Sequence, residues 1–403
     1  MMAEVPYMKR NVSLLALCQG YAQTSVTIVI TVSALAGLAI ADNKALATLP
    51  HAFMWMATAA AAMPASLLMK RLGRRLGFSI GSAIGLLGCV LCTAGVYLTD
   101  FWVFIAGTSC MGAFNAFNQY MRFAAAEASS ERFRPKAISL VIGGGVVAAF
   151  VGGAIANNTR DLLGPVQFAG TYVVLAVCPI LIAITIQFIR MEEPKDVPPA
   201  PGSATPTGRP LLEIMKQPAF IVAAVGTSVS WAGMILMMAA TPLSMKFCGI
   251  AYSNVTWVIQ WHMFAMFAPS FFVGSMIRRY GGLNVIMLGF ALFGGGIIAG
   301  LLGLGLTNFL LTNVMIGAGW NLMLIGSTDL LVTCHTPAER GKVQGANDTI
   351  AYLLSAVSSF FAGYLQIEIG WDAVMIAIIP QIAIVALSVM WFRALRTRAV
   401  AAE

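Results

Sequence analysis

The chain carries a series of strongly apolar runs, separated by clusters of charged and turn-forming residues. Each run is about 20 residues long, the length of helix that spans the hydrocarbon core of a bilayer. In lipid, the backbone must satisfy its hydrogen bonds internally, in helices or in closed barrels. Runs as long and continuous as these are not typical of barrel strands. The sequence therefore predicts an all-α membrane protein.

Twelve transmembrane helices are predicted, with boundaries reliable to within a few residues. They lie near 12–41, 46–69, 76–98, 101–125, 137–157, 166–190, 217–242, 253–277, 282–304, 307–331, 342–365 and 370–393. The first is longer than a single span requires, which indicates a tilted or frayed helix.

Composition excludes the main alternative, a soluble protein with a large core. Only 10% of the 403 residues are charged, whereas 59% are hydrophobic. Soluble domains average about 25% charged residues, so this chain could not cover a water-exposed surface. No cleavable signal peptide is expected, because no small-residue cleavage site precedes a polar mature domain. The seven cysteines lack metal-site spacing and are interpreted as small buried residues, so no metal or cofactor is expected.

The basic residues predict the orientation of the helices. With the N-terminus inside, external segments hold only Lys44, Arg160 and Lys246, and Arg122 lies within the fourth span. The other 20 of the 24 Lys and Arg residues fall in cytoplasmic segments. The positive-inside rule then predicts a multi-pass protein of the inner membrane, in the lipid bilayer, with both termini cytoplasmic. The net charge of +8 reports this topology, and no nucleic-acid partner is expected.

One interruption between the spans differs from the others. The stretch from Met191 to Pro210 is rich in Pro, Ser, Gly and charge, which is typical of a flexible linker. It predicts an N-terminal six-helix bundle (1–190), a cytoplasmic linker (191–216) and a C-terminal six-helix bundle (217–403).

The two halves repeat each other. The loop SLLMKRLGRR after the second span matches GSMIRRYGGL after the eighth, which places Gly73 and Gly281 208 positions apart. The loop SSERFRPKAIS after the fourth span matches TPAERGKVQG after the tenth, and Arg132 and Arg340 are again 208 positions apart. Two landmarks at one offset indicate an internal duplication.

These loops resemble the major facilitator superfamily, whose loop between spans two and three reads Gly-x-x-x-Asp-Arg-x-Gly-Arg-Arg. The matching positions here are Ser66, Lys70, Arg71, Gly73, Arg74 and Arg75, and in the second copy Gly274, Arg278, Arg279 and Gly281. The loop PAERGKVQG is similar to the family's loop between spans ten and eleven. The resemblance covers nearly the whole chain. It implies two pseudo-symmetric bundles that move about a central mid-membrane cavity, lined mainly by spans 1, 4, 7 and 10 with help from 2, 5, 8 and 11.

Lys70 and Arg278 stand where the family pattern has an acid, which in the family helps to hold the halves together on the cytoplasmic side. A cation cannot replace an acid at the positive N-terminal end of a facing helix. We therefore expect reversed ion pairs, with Lys70 or Arg71 on Asp348 and with Arg278 or Arg279 on Glu127 or Glu131. Alternatively, these cations only fix the topology.

Polar groups within the spans are costly in lipid and are therefore functional candidates. On span four, Asn115, Asn118, Gln119 and Arg122 share one broad face. Arg122 can attract an anionic or carbonyl-bearing solute, or it can pair structurally with Glu127 or with Asp329 of span ten. The predicted substrate-binding residues are Gln19, Gln23, Asn115, Asn118, Gln119, Arg122, Trp261, His262, Trp320 and Asn321. The predicted gating or coupling residues are Lys70, Arg71, Arg74, Glu127, Arg278, Arg279, Asp329 and Asp348.

No carboxylate falls near the middle of a predicted span. Proton coupling, if present, would therefore rest on Asp329, His262 or His51, and a uniporter is the alternative. Histidine titrates near physiological pH, although a lone histidine in a span more commonly has a hydrogen-bonded packing role.

Together these features predict a secondary transporter that moves a small, mostly neutral or amphipathic organic solute by alternating access, functioning as a monomer. Aromatic, Met and amide side chains suit such a ligand. The segments from ATLPHAF to GRRLGF and NQYMRFAAAE are also similar to carriers linked to riboflavin uptake, which makes riboflavin a candidate substrate.

The alternative is multidrug or metabolite efflux by proton antiport. Two departures disfavour it, since Thr108 stands where drug antiporters often have an Arg, and Ala148 and Ala149 stand where they have Gly-Pro. A scaffold or sensor with the same fold is a third hypothesis, which the short central linker disfavours. An enzyme is not expected, because the sequence shows no nucleophile–base arrangement.

Overall fold

The computed structural model describes residues 7–130, 133–190, 208–336 and 339–401, and all of their regular elements are helical. Fifteen α-helices follow one another in the order α1 Met8–Ile40, α2 Leu49–Tyr97, α3 Phe101–Asn118, α4 Met121–Glu127, α5 Arg134–Thr159, α6 Ala169–Leu175, α7 Val177–Ile186, α8 Leu211–Met215, α9 Pro218–Phe247, α10 Tyr252–Phe267, α11 Ser270–Tyr280, α12 Gly282–Leu301, α13 Leu306–Val332, α14 Arg340–Tyr364 and α15 Trp371–Ala401. A 3₁₀ turn at Lys44–Leu46 precedes α2, and a π-helical turn at Leu365–Ile369 extends α14.

These helices form the twelve predicted spans. Helix α2 contains spans two and three, α3 with α4 forms span four, α6 with α7 forms span six, and α10 with α11 forms span eight. Eight of the continuous helical stretches are long and apolar enough by themselves to cross a membrane. The prediction of an all-α membrane protein with twelve helices is confirmed.

Two glycines at equivalent positions of the repeat turn the chain in the same way. Gly73 has φ 83° and Gly281 has φ 82°, a region that residues with a Cβ rarely adopt. Gly73 separates the two spans within α2, and Gly281 separates α11 from α12. The two halves therefore share the geometry of this turn, as their sequence offset predicts.

Two further breaks interrupt spans four and eight. In span four, the first helix, α3, ends at Asn118. The second helix, α4, begins at Met121, after a turn at Gln119 and Tyr120. Span eight breaks at Ala268 and Pro269, where proline supplies no N–H for the helical ladder. Both breaks lie beside the central cavity described below.

Most of the buried hydrophobic residues belong to two large clusters. One contains residues from Val12 to Ile189, together with Leu243. The other is formed mainly by the second half, with Ile30, Trp55 and Ala59 among the contributions of the first. Each six-helix bundle therefore has a core of its own, and a few side chains are shared where the bundles meet.

The bundles contact each other closely at the end of the molecule opposite the basic loops, which we call the closed end. There Thr48 Oγ1 donates to the Ser359 carbonyl at 2.6 Å, and the Gly363 N–H donates to Thr48 Oγ1 at 3.0 Å. A Cβ on Gly363 would lie 2.5 Å from Thr48 Oγ1. Span eleven can approach span two this closely because position 363 has no side chain.

The other end, which we call the basic end, carries the loops with the clustered cations. The first part of the central linker, residues 191–207, lies outside the described residues, as do Glu131 and Arg132. The remainder of the linker, including the short helix α8, is held against the loop before α14. Arg209 donates to Glu339 there through its guanidinium at 2.9 and 3.0 Å and through its backbone N–H at 2.7 Å.

The Glu339 side chain is 1% exposed, whereas its partner Arg209 is 43% exposed. The Thr336 N–H also donates to Glu339, at 2.9 Å. The Arg209 guanidinium and this backbone donor hold the pKa of Glu339 well below its usual range, and Glu339 in turn raises the pKa of Arg209. The linker is thereby anchored to the second half at the base of span eleven.

Candidate functional site

A cavity of 380 Å³ lies between the two bundles. Small-molecule sites have volumes of about 300–1,000 Å³. Its walls come from α1, α2, α3, α4 and α5 of the first half and from α9, α10, α11, α13 and α14 of the second. The cavity is thus shared between the halves, in the position that the superfamily resemblance implies.

Four aromatic residues form a cage on one side of this cavity, and we call Trp55, Trp231, Trp320 and Tyr352 the aromatic cage. The Trp231 ring is at its centre, 5.2 Å from Trp55, 5.6 Å from Tyr352 and 5.0 Å from Trp320 between centroids. Trp55 stacks on Tyr352 at 5.8 Å with an interplanar angle of 26°. Helices α2, α9, α13 and α14 each supply one ring, so the cage exists only where both halves meet.

The cage presents a polar edge as well as flat faces. The Trp320 Nε1–H is buried and has no hydrogen-bond partner among the described residues. The Trp55 Nε1–H is engaged by His51 at 3.1 Å, which fixes the orientation of that ring. Because buried indole N–H groups usually find a partner, Trp320 can supply a hydrogen bond to a bound solute.

Amide side chains line the cavity on the side of the first half. Gln19 and Gln23 are four residues apart on α1 and share one face. Asn115 is 3% exposed, and its Nδ2 has no hydrogen-bond partner within the described ranges. Gln119 follows at the break in span four. This amide wall can both donate and accept hydrogen bonds.

Asn321 connects span ten to the break in span eight. Its Nδ2 donates to the Met266 carbonyl and to Ser270 Oγ, both at 2.6 Å. Its Oδ1 is buried without a partner in the described chain. The two donated bonds fix the amide plane and with it the position of the free oxygen.

Arg122 and Asp348 face each other from spans four and eleven toward the basic end. Arg122 Nη2 lies 3.9 Å from Asp348 Oδ2, and each side chain is 39% exposed. The guanidinium also lies 4.9 Å from the centroid of the Phe123 ring. An exposed pair at this distance contributes about 0–1 kcal/mol. The pair therefore marks the mouth of the cavity without holding the halves together strongly.

The structure brings most of the predicted binding residues into the cavity. Those that line it are Gln19, Gln23, Asn115, Gln119, Arg122, Trp320 and Asn321, and the predicted gating residue Asp348 joins them. Their function as a binding site stays a prediction, whereas their convergence is observed.

Three of the predicted binding residues lie outside the cavity. Asn118 is buried but does not line the cavity, and it lies about 100° around the helix from Gln119. Trp261 is 36% exposed and packs against Phe150 and Phe264 on the outer side of α10. His262 is fully buried, with Nδ1 2.7 Å from the Asn313 carbonyl.

Among the described residues, the predicted loop pairs are not formed, and a pair with Glu131 lies outside the described residues. Lys70, Arg71, Arg278 and Arg279 are exposed, and among the described residues Asp348 pairs with Arg122 instead. Arg278 donates to Ser275 at 3.0 Å, and Arg279 lies over the Tyr280 ring. The cations face solvent, and the reversed pairs stay a prediction.

Arg74, Glu127 and Asp329 have other partners. Arg74 forms a two-pronged pair with Glu127, at 2.6 and 3.0 Å, within the first half. Glu127, a predicted partner of Arg122 and of Arg278, is therefore paired with Arg74 instead. Asp329 lies beside Gly282, where its carboxylate faces the positive N-terminal end of α12 instead of Arg122.

Sequence reasoning missed three of the four cage residues, namely Trp55, Trp231 and Tyr352. In apolar spans such rings resemble ordinary packing residues. The repeat offset was a usable signal, because Trp231 lies 208 positions after Gln23 and Met263 lies 208 positions after Trp55. All four of these residues line the cavity.

Twelve helices in two bundles about a shared cavity define a membrane-spanning transporter of small-molecule solutes, and the comparisons with known proteins agree. The family model described as Major Facilitator Superfamily matches residues 12–247. The chain therefore belongs to the Major Facilitator Superfamily.

Two curated relatives match over most of their length. The chain is 36% identical over 384 residues to the riboflavin transporter RfnT of Brucella anthropi, which covers 95% of this chain and 96% of the relative. It is 26% identical to YdeG of Bacillus subtilis, an uncharacterized MFS-type transporter, over 93% of this chain and 91% of the relative.

A solved structure shares the fold. It is a bacterial homolog of the human lysosomal transporter Spinster, with a TM-score of 0.71, 14% sequence identity and coverage of 97% of each chain.

Proposed function

We propose that this protein is a secondary transporter that carries riboflavin, or a solute with the same flat ring system and hydroxylated tail, across the inner membrane by alternating access. The observation that supports it best is that the aromatic cage and the amide wall line one cavity. The similarity to the riboflavin transporter RfnT supports the same substrate.

The chemistry of riboflavin matches the two sides of the cavity. Its isoalloxazine is a flat, neutral, fused-ring system, and aromatic faces stack well on indole and phenol rings. One edge of that ring system carries carbonyl oxygens and an N–H, which can bond the Trp320 Nε1–H and the Asn321 Oδ1. The ribityl hydroxyls suit the amides of Gln19, Gln23 and Asn115.

The electrostatics of the cavity also suit a neutral solute. The charged groups among its described lining residues are Arg122, Arg340 and Asp348, and all three come from its basic-end portion. Around the cage the lining is aromatic, apolar or uncharged polar. A solute with a net charge would leave that charge in an apolar surrounding, which is costly.

Alternating access is supported by the difference between the two ends. At the closed end Thr48 and Ser359 are fully buried, whereas at the mouth Arg122 and Asp348 are partly exposed. By the positive-inside rule, the basic residues support a mouth on the cytoplasmic side, with both termini cytoplasmic. We infer that one chain functions as a monomer, because a single chain supplies every wall of the cavity.

Riboflavin binding and transport test this proposal directly. Purified protein should quench riboflavin fluorescence on titration, because the ring stacks on tryptophan. Proteoliposomes loaded with unlabelled riboflavin should take up labelled riboflavin by counterflow. Trp231→Leu should weaken binding about tenfold, the loss expected for an aromatic pair worth about 1.4 kcal/mol.

A matched control is available on the neighbouring span. Trp257→Leu removes a tryptophan that is 40% exposed and lies outside the cavity, so its affinity should stay at the wild-type value. Equal losses in both variants, or no riboflavin counterflow in the wild type, would count against the proposed substrate. Export driven by an inward proton gradient would favour efflux by proton antiport instead.

A further inference from the structure

A short hydrogen-bonded path connects the aromatic cage to the closed end, and it passes through His51. The Trp55 Nε1–H donates to His51 Nε2 at 3.1 Å. The other ring nitrogen, Nδ1, lies 3.0 Å from Ser359 Oγ on span eleven. His51 therefore joins a cage residue of the first half to a helix of the second half, in a position that is 1% exposed.

The contacts define which nitrogen carries the proton. Because an indole N–H is only a donor, His51 Nε2 must be unprotonated to accept from Trp55. A neutral imidazole then carries its proton on Nδ1, from which it donates to Ser359 Oγ. A second proton would have to bind at Nε2, where it would face the Trp55 N–H donor.

We propose that His51 is the proton-binding residue that couples proton entry to opening of the closed end. A proton from the outside that binds Nε2 breaks the bond to Trp55 and places a charge between the two halves. This weakens the closed end and frees Trp55 to reorient around an incoming ring. When the closed end re-forms, His51 releases the proton to the water of the cytoplasmic cavity. The proposal rests on the proposed import of a riboflavin-like solute.

The other candidates for coupling lack this bridging position. His262 is equally buried, but its Nδ1 bonds the Asn313 carbonyl within the second half, and its Nε2 has no partner among the described residues. Asp329 is exposed beside the start of α12. Among these three titratable residues, His51 alone contacts both halves and a cage residue.

The surroundings of His51 are uncharged. Span eleven contributes Ser359, which contacts His51 directly. It also contributes Tyr352, whose phenol ring stacks on Trp55. The nearby loops of the closed end carry the charged residues Asp42, Lys44 and Glu368, which are exposed to solvent. Within the described chain, the charge on a protonated His51 would therefore have no buried anionic partner, and the closed arrangement requires the neutral form.

Proteoliposomes with an acidic exterior test the coupling. With one proton per solute, a gradient of one pH unit supports about tenfold accumulation of riboflavin in the wild type. In His51→Gln the amide can still accept from Trp55 but does not titrate. Since this neutral amide should keep the closed end formed, we expect the variant to lose both counterflow and accumulation, whereas His262→Gln should accumulate as the wild type does.

A ligand-independent measurement keeps the proposal separate from the substrate assignment. Tryptophan fluorescence should show a transition between pH 4 and 8 in the wild type and in His262→Gln, but not in His51→Gln. Ser359→Ala keeps the proton acceptor but removes the link between the halves. It should therefore retain the transition and lose accumulation, even if His51→Gln does not fold.

Two transport results would overturn the role of His51. One is wild-type counterflow without accumulation in the pH gradient, and the other is full accumulation by a folded His51→Gln. Absence of riboflavin counterflow in the wild type would refute riboflavin as the substrate. The fluorescence transition would then be the test of the role of His51. A transition that persists unchanged in His51→Gln would refute the proposal.

Discussion

At the scale of single residues, Asn115 and Asn118 form a natural comparison. Both are on α3, both are 3% exposed, and in both the Nδ2 atom has no partner among the residues described. Only Asn115 lines the cavity. Burial and an unpaired amide are therefore not sufficient to identify a residue that lines the cavity, and the direction of the side chain decides.

Replacement of Asn115 tests whether the amide wall binds solute. Asn115→Leu should raise the Kd for riboflavin about fivefold, since a neutral hydrogen bond contributes about 1 kcal/mol. Asn118→Leu makes the same change outside the cavity and should leave the Kd unaltered. Fluorescence titration measures both values, and a similar loss of affinity in the two variants would refute a direct contact.

The sequence predicted residue types better than residue directions. Gln19, Gln23, Asn115 and Gln119 were identifiable because amides are costly in lipid. Trp55 and Tyr352 were not, because an aromatic ring in an apolar span can face lipid, a helix neighbour or a cavity at similar cost. Only the packing of ten helices about one space distinguishes these cases.

At the scale of helices, the lengths of the apolar runs and the glycines between them predicted the fold well. Gly73 and Gly281 mark turns that the repeat places at equivalent positions. The breaks at Gln119 and at Pro269 were not predicted, since both lie inside runs that are apolar enough to continue. Such breaks depend on side-chain bonds from neighbouring helices, for example those of Asn321 to Met266 and Ser270.

Spans four and eleven carry the ion pair at the mouth of the cavity, and a charge exchange tests which cation Asp348 needs. Asp348→Arg replaces the acid that lies 3.9 Å from Arg122 by a second cation and should lower counterflow about tenfold. Adding Arg122→Asp restores an opposite pair and should recover most of the activity. Adding Lys70→Asp instead tests the predicted latch of the conformation closed at the basic end.

The two double variants distinguish the partners if all proteins are expressed equally. Recovery with Arg122→Asp alone assigns Asp348 to the mouth. Recovery with Lys70→Asp alone supports the reversed loop pair. Failure of both would show that neither cation controls the movement of spans four and eleven.

At the scale of the whole molecule, the end of the linker at Arg209 is anchored to the second half, at the loop before α14. Glu339 has a lowered pKa, so its stabilising pair with Arg209 is fully present above the ordinary glutamate pKa of about 4.3 and is lost as the pH falls toward the lower folded value. The pair therefore stabilises the folded protein throughout the neutral and mildly acidic range.

Glu339→Gln should lower the melting temperature by about 2–4 °C at pH 7, and the difference should shrink below about pH 4. Glu213→Gln changes an exposed glutamate on α8 and should have little effect at either pH. Thermal unfolding in detergent measures these differences. A constant difference between the Glu339 variant and the wild type down to pH 3 would contradict the assigned ion pair.

The duplicated architecture also constrains how a solute can lie in the cavity. Gln23 and Trp231 occupy equivalent positions of the repeat, as do Trp55 and Met263. Parallel repeats are related by an axis along the membrane normal, so each pair lies at one depth on opposite sides of that axis. Under the proposed function, an elongated solute gripped by both members of a pair lies crosswise to the direction of transport. The bound solute itself then blocks the passage through the cavity. This limits leakage of ions and water while the two bundles exchange their open and closed ends.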